Sequence, residues 1–420
     1  MNTTENYHVK DLSLVEQGKS NIQLAEERMG ALIGIRDRFT LEKPFRDLRI
    51  GMALHVTKET AVLAQTLTAG GAEVAITSCN PLSTQDDVAA ALAKEKVRVW
   101  AYKGETAIDY RTFIANVADT KPHIVIDDGC DLIDHLHTKR QELLVDVIGG
   151  CEETTTGVNR LRAMQGEGVL RIPVIAVNDN NTKHLLDNYY GTGQSTLDGI
   201  LRATNILLAG KTVVVAGYGS CGKGVAMRAD GMGAQVIVTE MDAFRALQAT
   251  YDGYKILPMH EAASIGDVFI TVTGNRHVVR LDHMRRMKNG VVLANSGHFD
   301  VEIDVEGLRR EASQHYQVRP QLDAYVLDGR KIYLCGEGRL VNLAVAEGHP
   351  SEVMATSFCG QALAVEYLVK NRGKLVPGVH VLPKEIDDLI ARLQLHAMGV
   401  TIDAPTSEQQ KYKTEWREGT

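Results

Sequence analysis

Dense polar strings stand where apolar runs end, and their residue types are those of acid–base chemistry. His55-Val56-Thr57-Lys58-Glu59 follows the run Arg49 to Leu54, and Asp127-Asp128-Gly129 follows His123 to Ile126. Glu152-Glu153-Thr154-Thr155-Thr156-Gly157 and Asn178-Asp179-Asn180-Asn181-Thr182-Lys183 come next, and Asn295-Ser296-Gly297-His298 closes a later run. Imidazoles, carboxylates and an ammonium can take and release protons at a reacting centre. Asp187-Asn188 lies one helical turn after Lys183, so carboxylate and ammonium can share a face. Taken singly, each string has a plainer reading: a turn for Asp127-Asp128-Gly129, a solvated ion pair for Lys183 and Asp187, a strand or cap for Thr154 to Thr156. Their joint position at strand ends favours a catalytic cleft.

The elements that must position these groups alternate between strand-like apolar runs and helical stretches, the pattern of α/β layers with mostly parallel sheets. In the first series the strands are Arg49 to Leu54, Glu73 to Ile76, Val97 to Trp100 and His123 to Ile126, with helices from Glu59 to Ala69 and Asp86 to Lys94 between them. A second series runs through Thr212 to Ala216, Gln235 to Thr239, Val268 to Thr273, Val291 to Ala294 and Ile332 to Cys335, with Asp328-Gly329 as a hairpin turn. Leu343 to Asn371 reads as helical, broken at Gly348-His349-Pro350, and Lys384 to Met398 forms one more helix. The expected fold is therefore two doubly wound, Rossmann-like domains and a short C-terminal tail. Ligands in such sheets sit beyond the carboxyl ends of the strands.

Gly217-Tyr218-Gly219-Ser220-Cys221-Gly222 is the sharpest local motif. A strand precedes it, a helical stretch follows, and a second strand ends in Glu240. Gly217 allows the tight turn, Gly219 lets a pyrophosphate approach the backbone, and the helix N-terminus offers free N–H groups to the anion. Glu240 would accept hydrogen bonds from ribose hydroxyls and repel a 2′-phosphate, which favours NAD over NADP. The same residues fit the opening of an NTPase phosphate loop, but Gly224 stands where that loop needs Ser or Thr for Mg²⁺.

The composition is that of an ordinary globular protein: 420 residues, 44% hydrophobic and 24% charged. A formal net charge of −7 argues against a general nucleic-acid binder. The polar start Met1 to Asn6 has no apolar run after it, so no secretory signal is expected, and no stretch is apolar enough to span a membrane. Cys79, Cys130, Cys151, Cys221, Cys335 and Cys359 are scattered, with no CxxC pair and no Cys/His metal spacing. Reduced thiols in a cytoplasmic protein and no bound metal are the expectation.

Several blocks together resemble the S-adenosylhomocysteine hydrolases. They are His55-x-Thr57-x-Glu59, Ser83-Thr84-Gln85-Asp86, Glu152 to Gly157, Lys183 with Asp187-Asn188, Gly217 to Gly224, Gly297 to Asp304, Glu337 to Leu343 and Gly348-His349-Pro350-Ser351. They cover nearly the whole chain in the family's order. The resemblance implies a substrate domain over 1–188 and 346–385, an NAD domain over 189–345 and a dimerisation tail over 386–420. It implies one tightly bound NAD per subunit, small-molecule substrates of the methyl cycle and one-carbon metabolism, and a homotetramer. His55, Asp128, Glu153, Lys183, Asp187, Asn188 and His298 match the family's catalytic pocket. Thr154, Thr155, Thr156, Gly217, Gly219, Gly222, Glu240, Asn275, Asn295 and Asn342 match cofactor contacts. Thr57, Glu59, His349 and Met354 match substrate contacts. The implied reaction oxidises the ribose 3′-carbon, which acidifies the 4′ C–H. Homocysteine is then eliminated, water adds, and the ketone is reduced again. In that scheme Lys183 serves the 3′-hydroxyl, Asp128 the 4′-hydrogen, and His55 donates a proton to the leaving group.

A sister reaction uses the inosine thioether. An ionised Glu only accepts hydrogen bonds, so Glu59 with Thr57 favours the amino group of adenine over the carbonyl of hypoxanthine. S-inosyl-L-homocysteine hydrolysis is the alternative. The chain departs from many relatives at Thr192, where they carry Cys, and its C-terminus resembles the short archaeal and thermophilic form.

Overall fold

The computed structural model describes residues 2–417 apart from Thr4 and Lys96, with no side-chain description for Asn2 and Thr3. Met1 and 418–420, at the ends of the expected substrate domain and tail, lie outside the described residues.

Two sheets carry the molecule. From its first described edge, the N-terminal sheet runs Asn2–Thr3, Tyr7–Val9, Arg98–Trp100, Glu73–Thr77, Arg49–Ala53, Ile124–Asp127, Gly149–Glu152, Pro173–Ala176 and Gly378–His380. All its pairings are parallel except the short pairing of the first two strands. The chain order reverses between Arg49–Ala53 and Ile124–Asp127, and His55 and Asp128 emerge on either side of that crevice.

The second sheet runs Lys255–Ile256, Gln235–Thr239, Thr212–Ala216, Val268–Thr271, Val291–Asn295, Arg330–Cys335, Leu322–Leu327 and Gln314–Arg319. It is parallel through Arg330–Cys335 and ends in an antiparallel meander of the last three strands. Its switch point lies between Thr212–Ala216 and Val268–Thr271, next to the Gly217 turn.

The apolar strand runs follow from burial on both faces. Ile124 and Ile126 enter one core while Val125 enters the opposite one. Val213 and Val215 likewise point away from Val214. Because side chains alternate along a strand, each sheet is sandwiched between two apolar layers. The expected helix from Leu343 to Asn371 is two, Val341–Ala344 and Ser351–Lys370, separated at the predicted Gly-His-Pro break. The strands Gly149–Glu152, Pro173–Ala176 and Gly378–His380 were not anticipated. Each is only three or four residues long, and two contain Gly where strand propensity is poor.

Thr182–Gly191 is a π-helix that runs directly into the α-helix Thr192–Thr204. Wider i→i+5 turns of this kind are rare and occur frequently at functional sites. Among the described residues, no helix is long and apolar enough to cross a membrane.

Candidate active site

Two adjoining cavities lie between the sheets. The inner one, about 120 Å³, is walled by residues from both halves of the chain, including His55, Glu59, Lys183 and His349. The outer cleft, about 850 Å³, runs over Thr154 to Thr156, Gly217 to Cys221, Glu240 and Asn275. Thr154, Asn188, Cys221, Ser296 and His298 line both, so the two spaces meet there.

The π-helix builds the first cluster. Lys183 Nζ lies 2.9 Å from Asp187 Oδ2 and donates to Asn188 Oδ1 at 2.7 Å. Widening the turn brings residues i+4 and i+5 together beneath residue i; a regular α-helix would swing Asn188 away. Glu153, from the end of Gly149–Glu152, approaches the same ammonium at 3.6 Å. All four side chains are buried. Burial alone would lower Lys183, but Asp187 and Glu153 outweigh it and hold the ammonium above its ordinary range. Burial pushes Glu153 up to about 7 against the pull of Lys183. Burial also opposes ionisation of Asp187, yet Lys183 and His349 hold that carboxyl well below the usual range.

Asp128 organises the second cluster. His55 Nε2 lies 3.3 Å from its Oδ2 and His298 Nδ1 lies 3.5 Å from its Oδ1. The carboxylate oxygens and the imidazole nitrogens of the three gather within 4.8 Å of one another, and Asp128 Oδ2 with His55 Nε2 is the closer pair for proton transfer. His55 Nδ1 is 2.7 Å from Ser83 Oγ, which orients the ring. Burial lowers His55 to about 4 despite Asp128, so its imidazole is neutral at physiological pH.

The structure brings the sequence-predicted residues together with few exceptions. Thr57 caps the helix Lys58–Ala69 at the inner cavity, and Glu59 is buried there, accepting from Ser351 Oγ at 2.7 Å. Met354 completes that wall. His349 lines the same cavity, but its Nδ1 hydrogen-bonds Asp187 and its Nε2 lies 3.1 Å from Asn342 Nδ2, so the ring is tied to the acid–base cluster. Asn295 corrects the expectation of a cofactor contact. Its Nδ2 donates to the carbonyls of Gly297, Phe299 and Gly338, and its Oδ1 accepts from Gly297 N and Thr271. Fully buried and fully used, it shapes the His298 loop and lines neither cavity. Gly222 also stays behind the cleft, packed on the Gly217 carbonyl.

Other partners escaped the sequence reading. Ser357 and Gln361 donate to the two oxygens of Glu153. The signal was present: two polar residues spaced i,i+4 within the mostly apolar stretch Phe358 to Val365 and the residue before it. Thr192 Oγ1 lies 3.5 Å from Cys221 Sγ and 3.3 Å from His349 Nε2, a contact between distant segments with no local signature.

The outer cleft suits a dinucleotide. Gly217 has φ +107°, a conformation open to glycine. A Cβ on Gly219 would project into open space with only Arg245 Nη1 near, at 3.7 Å, so an anion can reach the helix N-terminus beside a cation. Glu240 is aimed at the cleft by the N–H groups of Tyr218, Met241 and Asp242. Asn342, expected among the cofactor contacts, lines the inner cavity instead, where its Oδ1 is buried without a partner. Gly224 replaces the Mg²⁺-binding hydroxyl for a packing reason: a Cβ there would lie 1.9 Å from the Tyr189 carbonyl of the π-helix.

Comparison with known proteins agrees. The family model described as S-adenosyl-L-homocysteine hydrolase matches residues 6–144, and the one described as its NAD binding domain matches residues 188–348. A Methanocaldococcus jannaschii protein named S-inosyl-L-homocysteine hydrolase is 59% identical over 99% of this chain and 100% of its own length. Proteins named adenosylhomocysteinase from Sulfolobus acidocaldarius and Aquifex aeolicus are 57% and 56% identical, each over 99% of this chain and 100% of its own. By sequence along its whole length, and with a dinucleotide cleft set against a buried acid–base cluster, the chain belongs to the S-adenosyl-L-homocysteine hydrolase family.

Proposed function

We propose that this chain reversibly hydrolyses S-adenosyl-L-homocysteine to adenosine and L-homocysteine, with S-inosyl-L-homocysteine as the alternative substrate. The observation that carries the reading is the meeting of two buried proton-handling clusters where the two cavities join. Thr154 to Thr156, the Gly217 turn, Glu240 and Asn275 would hold NAD, which supplies reversible oxidation of the ribose 3′-carbon. Lys183 holds and moves the 3′-hydroxyl proton at Nζ. It is an ammonium at rest, so the working base arises once its proton is shared with Glu153, the carboxyl beside it that burial raises to about 7. Asp128 takes the 4′ proton through a carboxylate oxygen. Neutral His55 receives that proton at Nε2 and passes it to the departing sulfur, so protons balance across the elimination. His298 closes the same side, and reversal of these transfers accompanies water addition.

Glu59 supports adenine. Ser351 donates to its Oε1, which leaves the second carboxylate oxygen to accept from an exocyclic amine. What supports the inosine alternative is that a hypoxanthine N1–H can also donate to that carboxylate. Steady-state assays with both thioethers decide: a higher kcat/KM for the adenosine compound is expected, and a preference for the inosine compound refutes the assignment. We further place the chain in the cytoplasm as a homotetramer. Six free cysteines support a reducing compartment, and exposed Met398, Val400, Ile402 and Trp416 support burial of the tail in an assembly.

A further inference from the structure

Behind the two catalytic carboxylates stand two more that the mechanism leaves unused. Asp127 and Glu152 end adjacent parallel strands and are direct register partners. Partners in register share a face, and the next residue on each strand turns the other way. Asp128 and Glu153 therefore reach the cavity while Asp127 and Glu152 remain side by side below it, both fully buried.

Their hydrogen bonds go to the backbone that carries the catalytic groups. Glu152 Oε1 accepts from Gly129 N at 2.8 Å and from Thr154 N at 3.2 Å, the residues just after Asp128 and Glu153. Asp127 accepts from its neighbour Asp128 N at 3.1 Å and from Ile133 N at 2.7 Å. Space has been cleared for this arrangement. A Cβ at Gly157 would lie 2.1 Å from the Glu152 carboxylate, which explains the glycine closing the Glu152 to Gly157 string. A Cβ at Gly129 would lie 2.4 Å from His298 Nε2, so a shift of Gly129 would be felt by His298 as well. Glu152 Oε2 is buried without a partner.

We propose that Asp127 and Glu152 are positioning residues, a carboxyl pair that clamps the backbone behind Asp128 and Glu153 and, through Gly129, sets the stand of His298. This rests on the hydrolase reading for the roles of the groups being positioned. Arg160, the cation that acts on Asp127, is bonded to the Gly129 carbonyl and Asp131, not to the pair. Burial, reinforced by Asp131 and Asp128 and opposed by the Ile133 N–H and Arg160, raises Asp127 to about 8. Burial, then Asp127 and Asp128, raises Glu152 well above the carboxylate range. The pair accordingly carries at least one proton at neutral pH, and an amide of the same shape can stand in for the protonated member.

The test uses the full NAD-loaded chain with Glu152→Ala, Glu152→Asp, Glu152→Gln and Asp127→Asn. Readouts are kcat and KM for the thioether the wild type prefers, bound NAD, thermal unfolding, and the infrared C=O band of a buried protonated carboxyl. Glu152→Ala should lower kcat by at least about tenfold, with KM and NAD content nearly unchanged, because catalytic groups displaced by a fraction of an ångström lose rate before they lose binding. Glu152→Asp, one methylene short, should follow it if the alanine variant does not fold. Glu152→Gln should restore kcat to within about threefold, as expected for an isosteric acceptor. The infrared band should lose a component in Glu152→Gln or Asp127→Asn, while Glu105, which burial raises to about 9, keeps its own. The proposal is overturned if truncation leaves kcat intact, if Gln falls as far as Ala, or if neither amide variant removes any component of the band. A wild type silent toward both thioethers would defeat the hydrolase reading, while the infrared comparison would still test the pair.

Discussion

Lys183 and Asp128 head two separate proton-handling groups, and their environments assign them different work. Lys183 is locked among Asp187, Asn188 and Glu153. Asp128 instead faces two imidazoles and no fixed cation among its hydrogen-bond and ion-pair partners. Removing either group should cost about 10²- to 10⁴-fold in kcat, the range for a positioned acid or base. Lys183→Ala and Asp128→Ala, folded and NAD-loaded, are checked by steady-state turnover; near-normal rates would defeat both assignments. His349 shows how far identity alone can carry. It reads as a substrate-side histidine, yet the fold ties it to Asp187, so its substitution should disturb the Lys183 cluster as well as substrate binding.

The π-helix Thr182–Gly191 is the element on which the site turns. Its wide turns bring Asp187 and Asn188 together under Lys183, and its close packing on the Rossmann helix Ser220–Gly231 fixes that cluster against the cofactor cleft. Gly224 is the contact point. Gly224→Ala would drive a methyl into the Tyr189 carbonyl, a backbone atom that cannot rotate aside. Overpacking of this kind typically costs about 1–3 kcal/mol. Here it should also weaken NAD retention and lower kcat together, because one displacement moves the helix N-terminus and Lys183. Thermal unfolding with quantification of bound NAD checks this; an unchanged melting temperature and full NAD content would show that the contact is slack. The period of the sequence gives an ordinary helix here, since i,i+4 spacing is common to both forms.

For the molecule as a whole, buried carboxyls set a pH dependence of stability. Asp127 rises from an ordinary 3.8 to about 8, chiefly through burial. A carboxyl raised on folding makes the folded state bind the extra proton, so its stabilising contribution is complete below the unfolded value and is lost as pH rises through the folded one. The melting temperature should therefore fall between about pH 4 and pH 8, and Asp127→Asn, which cannot titrate, should flatten that slope. Glu152, Asp128, Asp131 and Arg160 face the same carboxyl and shape the curve. A slope identical in wild type and variant would assign the dependence to other groups.

Strand runs such as Thr212–Ala216, the glycine turn after them and the acidic end of Gln235–Thr239 were legible in the chain because local periodicity and backbone demands are written residue by residue. The same holds for the polar strings at strand ends, since doubly wound sheets place ligands there. The strand Gly378–His380, the π-turn and the pairs Ser351 with Glu59, Thr192 with Cys221 and Asp127 with Glu152 had no such local signature. Asn295, read as a cofactor contact, turned inward because four backbone groups and the Thr271 hydroxyl around it supplied its partners. Residue order thus determines which groups arrive at a strand's end, whereas which neighbour each one meets, and whether it keeps its charge, depends on strand register, helix pitch and burial, which join segments far apart in the chain.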